Sequence, residues 1–147
     1  NGASVRPELL DELLVLLREW AARHAQIQER PMIRAQTYMI LRSPGEFEQK
    51  LSGGSRKAST AKTKYEQNER LWKLAATALA SADPDFAAKF TGLAVTRGFR
   101  GSPHVDTTNS GPFYGLAIGD FADGTGGIQV ELDPMTVAEV NTKGRLG

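Results

Sequence analysis

Gly101-Ser102-Pro103-His104-Val105-Asp106, followed by the glycine-punctuated run from Thr107 to Phe121, is the stretch on which the reading of this chain turns. In an extended backbone, residues two apart point to the same face. His104 and Asp106 therefore offer a neutral imidazole nitrogen and a carboxylate oxygen to one ion. Two histidines and a carboxylate on a single face, with the other positions open, is the arrangement used for non-heme Fe(II) chemistry with O2. His104 and Asp106 are thus candidate metal ligands, two of a set of three. Taken alone, Asp106 would read as a turn-capping aspartate. His104 follows Pro103 in a polar stretch with no apolar stripe to pack into, so it does not read as a core histidine.

The text beyond this pair reads as strands over Pro112–Phe121 and Gly127–Leu132, separated by glycine-rich turns, with a further strand over Thr136–Val140. Three parts carry a resemblance: His104-x-Asp106, the run Pro112-Phe113-Tyr114-Gly115-Leu116, and Gly126-Gly127 opening an apolar strand through Glu131. Together they resemble the first half of the catalytic core of the Fe(II)/2-oxoglutarate-dependent oxygenases, over roughly residues 90 to 147. The resemblance implies a partial double-stranded β-helix, or jelly roll, preceded by a helical support layer, an α+β class. It implies Fe(II) and 2-oxoglutarate as cofactors, with ascorbate a further candidate, and O2 and an unknown substrate as reactants of a hydroxylase-type reaction. Tyr114 would help hold 2-oxoglutarate through its hydroxyl; its ring otherwise reads as core.

In that family a later strand supplies the second histidine, and a basic residue beyond it holds the far carboxylate of 2-oxoglutarate. The chain's two histidines are His24 and His104, so no histidine follows Asp106. The chain is therefore expected to be a single incomplete domain over 1–147, a fragment in which 1–85 is mainly helical support and 86–147 begins the jelly roll. The alternative is a relative that has lost iron and serves as a non-catalytic assembly subunit. Protein partners would then cover its exposed strand edges. A cupin-like binding module without redox chemistry is a third reading.

Composition narrows the classes. A chain of 147 residues is one domain's worth and can bury a real core. Without cysteine there is no disulfide framework, thiolate metal site or cysteine nucleophile. That fits a soluble protein in a reducing compartment without fixing the compartment. No apolar run approaches a membrane span. The net charge of +1 hides an asymmetry. Lys and Arg outnumber acids up to Arg100, and acids outnumber bases after it, which suits a cation site. A basic cluster, Lys50, Arg56, Lys57, Lys62 and Lys64, surrounds a Gly-Ser loop. It could touch an anionic partner or the phosphate groups of a carrier-bound substrate, but reads first as a solvated loop and helix entrance. No aromatic platform accompanies it, which argues against nucleic acid.

The first half reads as helical. Pro7 to about Glu29 is an amphipathic helix with Leu9, Leu13, Leu16, Leu17, Trp20, Ala21 and His24 on its apolar side, Pro7 in the first turn and acids near its N-terminus. His24, one turn after Trp20, reads as a packing histidine. Met32–Leu41 reads as a strand with Ile33, Ala35, Thr37, Met39 and Leu41 on one face and Arg34, Gln36 and Tyr38 on the other. Ser43 caps a short helix through Leu51. Ser59 to Ala82 is expected to form one long helix, closed by Asp83-Pro84-Asp85, and Phe90–Phe99 a strand.

Overall fold

The computed structural model describes residues 2–25, 27–104, 111, 113–122 and 125–147. Helix α1 (Pro7–Arg23) opens with proline at its first turn and Glu8 near the positive end of its dipole. It buries Leu9, Leu13, Trp20 and Ala21, one stripe at helical spacing. The helix stops well before Glu29. His24 leaves helical geometry at φ −121°, and residues 27–29 run alongside the next strand instead. Tyr38 N–H donates to the Ile27 carbonyl at 2.9 Å, and Glu29 N–H to the Tyr38 carbonyl at 3.1 Å. A tertiary ladder thus outcompetes the local preference for one more helical turn.

Strand β2 (Thr37–Arg42) is shorter than the sequence reading, because residues 30–35 are used in turns. Ile33 N–H bonds the Arg30 carbonyl, and the Gln28 side-chain amide donates to the Ala35 carbonyl at 2.9 Å. Met32 is left 96% exposed. Thr37, Met39 and Leu41 are buried on one face as the alternation predicts, and Tyr38 is buried on the other. Helix α2 (Pro44–Leu51) follows, holding Phe47 inside.

The expected long helix is two helices, α3 (Arg56–Gln67) and α4 (Glu69–Ala82). The break is at Asn68, which is buried and sits at φ −127°, ψ 22°. Its side-chain amide donates to the Lys64 carbonyl at 2.9 Å. Asparagine competes with the helix for its own hydrogen bonds and here ends the ladder. The Ser55 hydroxyl caps α3 by accepting from Ala58 N–H. Asp83 then ends α4 and caps the short helix α5 (Pro84–Ala87), accepting from Phe86 N–H at 2.8 Å.

Strand β3 (Gly92–Arg97) pairs antiparallel with β2, Thr37 facing Arg97 and Arg42 facing Gly92. Strands β4 (Gly127–Asp133) and β5 (Thr136–Asn141) form an antiparallel hairpin with an irregularity between Glu131 and Asp133. The third pair joins the two ends of the chain: β1 (Ala3–Ser4) lies antiparallel to β6 (Arg145–Leu146). Residues 113–121 do not form the expected strand. They make one parallel bridge, Ala117 to Lys143, and a pair of hydrogen bonds between Gly115 and Gly147. Gly119 at φ +146° takes a backbone that side chains disfavour and interrupts the extended run.

The described residues thus form an α+β arrangement of five helices and three two-stranded antiparallel sheets. One core cluster joins Val5, Leu9, Leu13 and Trp20 to Met39, Leu41, Leu71, Trp72, Leu79, Val95 and Leu146. Trp72 stacks on Phe90 at 4.6 Å between ring centres. The β2–β3 and β1–β6 pairings join the part of the chain before residue 85 to the part after it. Among the described residues no helix is long and apolar enough to cross a membrane.

Candidate functional site

The β2–β3 ladder delivers the chain to His104. Beyond Arg97, Gly98 turns at φ +60°, where its missing side chain leaves room for Gln36. Arg100 N–H then donates to the Arg34 carbonyl at 2.7 Å, extending the pairing past the strand end. Gly101, Ser102 and Pro103 follow in irregular backbone, and His104 stands exposed at the end of this segment.

The His104 ring is oriented by its own backbone: Nδ1 lies 2.6 Å from the Ser102 carbonyl oxygen. A carbonyl only accepts, so Nδ1 carries the proton. The neutral ring therefore holds its lone pair on Nε2. This is how ligating imidazoles are prepared, with one nitrogen tied to a carbonyl or carboxylate and the other left basic. The described member of the expected pair, His104, presents an exposed imidazole, a ligand type that suits iron. Asp106 lies outside the described residues, as do Thr108 and Asn109. Among the described residues, no three His, Asp or Glu side chains gather into a metal-sized group.

Tyr114 is placed by packing. Its ring meets Phe86 edge-on at 5.1 Å, and its hydroxyl donates to Asp83 Oδ2 at 2.8 Å. The two groups titrate in opposite directions. Asp83 is held below its ordinary range, first by the Phe86 N–H and then by the Tyr114 hydroxyl. Tyr114 is pushed up, first by its hydrogen bond to Asp83 and then by desolvation. The hydroxyl considered for 2-oxoglutarate is therefore engaged with the α4–α5 junction. Sequence reasoning saw Asp83 as a helix stop and Tyr114 as a strand residue. Nothing in their spacing announces that they meet.

His24 is a packing histidine, as its spacing suggested. Its Nδ1 sits 2.9 Å from the Trp20 carbonyl, and its ring stacks on Trp20 at 6.1 Å. In the acidic C-terminal part, Asp120 pairs with Arg18 of α1 at 2.6 Å. Lys143 donates to the Phe121 carbonyl at 2.6 Å and lies over the Phe121 ring. No protein-family model, curated protein or solved structure matches the chain.

Proposed function

We propose that this chain carries the first part of the core of an Fe(II)/2-oxoglutarate-dependent oxygenase of hydroxylase type, on the scaffold of a partial double-stranded β-helix. His104 and Asp106 are two of the protein ligands to iron. The observation that supports this most is the exposed His104, whose ring is oriented by a 2.6 Å contact between Nδ1 and the Ser102 carbonyl oxygen. When bound, iron, 2-oxoglutarate and O2 would supply the oxidising power, one oxygen atom of O2 entering succinate as CO2 leaves and the other serving to oxidise the substrate. The protein's share is to present a neutral imidazole and an ionised carboxylate, because protons compete with metal for both groups. Tyr114 contributes from beneath, bracing the segment that leads to Ala117 through its bond to Asp83.

The test is anaerobic Fe(II) binding, followed with 2-oxoglutarate by the visible charge-transfer band of the chelate. Wild type should bind iron at least about tenfold more tightly than His104→Ala, in line with the cost of disturbing such sites. Equal affinity in both would remove His104 from the site and with it the reading.

A second reading, a non-catalytic assembly subunit on the same scaffold, is favoured by the β4–β5 hairpin. It leaves Leu132 64%, Met135 94% and Val137 58% exposed. Exposed apolar side chains grouped on one element mark contact surfaces. A chain that binds no iron but forms a defined complex would support this reading over the first.

A further inference from the structure

We propose a second site, distinct from His104, that binds the phosphoryl group of a small molecule in the cleft between the end of β2 and the start of α3. The cleft is open, about 390 Å³, and is lined by Arg42, Arg56, Lys57, Lys64, Glu29 and Thr60. Four cations face one carboxylate there. That carboxylate is already committed: Glu29 Oε1 takes Lys64 Nζ at 2.6 Å, and Oε2 accepts from Ile40 N–H at 3.0 Å. Lys64 is spent in the same contact and also donates to the Ile40 carbonyl at 3.1 Å. Arg42, Arg56 and Lys57 remain, and among the described residues none of them has an acidic partner.

Three like charges converging on one concave surface repel one another, and an anion between them relieves that repulsion. The placement of two of them sharpens the point. Arg56 and Lys57 occupy the first turn of α3, which holds no acid. Cations there oppose the helix dipole, whose positive end favours an anion. The planar arginine fork suits phosphate oxygens in a bidentate contact, and a lysine adds a point charge. Gly92 stands opposite Arg42 on β3, and a Cβ there would approach Arg42 Nη1 to 3.2 Å, so the glycine gives that side chain its space.

A second hollow of about 300 Å³ on α3 shares Thr60 and Lys64 with the cleft and is lined further by Ser59, Thr63 and Gln67. Hydroxyls and an amide follow the cationic end, with no aromatic ring. This lining suits a polar, hydroxyl-bearing body attached to the phosphoryl group. A sugar phosphate and a free polyphosphate share the anionic chemistry and differ in whether they use this strip.

Isothermal titration at low ionic strength, with inorganic phosphate, inorganic pyrophosphate and ribose 5-phosphate as probes, tests the site. Pyrophosphate should saturate a single site. Arg56→Gln with Lys57→Gln should weaken it at least about tenfold, the scale of one charge-assisted hydrogen bond. Arg6→Gln with Lys89→Gln, an equal charge change at exposed positions elsewhere, should leave it within about twofold. All four side chains are exposed, and unchanged melting curves will show that the variants fold. Ribose 5-phosphate binding tighter than inorganic phosphate, with loss of that advantage in Thr63→Val, would identify a phosphate ester. Pyrophosphate binding alone would identify a free polyphosphate. No saturable binding, or equal weakening by both charge pairs, overturns the proposal. Iron binding at His104 is read separately, so failure of either site leaves the other standing.

Discussion

At the residue scale, the Asp83–Tyr114 bond links chemistry to fold. Tyr114→Phe removes the donor, and Asp83→Asn removes the charge that both Phe86 N–H and the tyrosine hydroxyl stabilise. Each should lower the melting temperature at neutral pH. The pH dependence has a definite sign. Asp83 is depressed in the folded state, so its contribution is present above the unfolded carboxylate value, about 3.9. It is lost as pH falls through the lower folded value. Melting curves of wild type and Asp83→Asn should therefore converge between pH 4 and the strongly acid range, taking about 4 as that ordinary carboxylate value. A gap that stays constant on acidification would mean that the carboxylate's charge is not what stabilises the junction. Gly144 offers a backbone counterpart. It turns at φ +62°, and a Cβ there would stand 3.2 Å from Leu10 Cδ1. Gly144→Ala should cost about 1–2 kcal/mol for left-handed backbone alone, measurable by urea unfolding.

Elements show what local sequence can and cannot carry. The α1 start at Pro7, α2, and the β4–β5 hairpin are legible because proline placement, helical spacing and turn residues act over a few neighbours. The strip at 27–29 is not, since its conformation is set by Tyr38, which the local pattern does not bring near. The break at Asn68 depends on one buried side chain choosing the Lys64 carbonyl over solvent. Of the candidate site, the exposure of His104 was legible from its polar setting, while the orienting Ser102 carbonyl and the Tyr114–Asp83 bond needed three dimensions. Caps can be graded by geometry. Ser55 accepts from Ala58 N–H at a long 3.4 Å, against 2.8 Å for Asp83 and Phe86. Ser55→Ala should therefore cost about 0.5 kcal/mol, the low end for an N-cap. Lys64→Met, which strips Glu29 of a 2.6 Å partner at roughly one-quarter exposure, should cost more, about 1.5 kcal/mol. A reversed order in denaturant unfolding would show that the Lys64 pair is held by solvent rather than by the fold.

Over the whole molecule, the helical and strand-rich parts share one interior. Trp20 is 1% exposed and belongs to that shared cluster, so Trp20→Ala should cost about 3–5 kcal/mol. Leu146, at 6% exposure almost the last residue, belongs to the same cluster, and Leu146→Ala should cost about 2–4 kcal/mol. A negligible loss at Leu146 would mean that the end of the chain rests on the core without securing it. The hairpin behaves differently: Leu132→Lys with Val137→Lys should leave stability nearly unchanged and reduce self-association in light scattering. The β1–β6 pairing has a further consequence. Gly2 packs against the Leu146 carbonyl so closely that a side chain there would collide with it, and Arg145 Nη1 reaches the Ser4 hydroxyl at 3.0 Å. This brings together residues 143 positions apart in the sequence. Loop closure of such length is among the slowest contacts to form, so this clasp should lock last during folding.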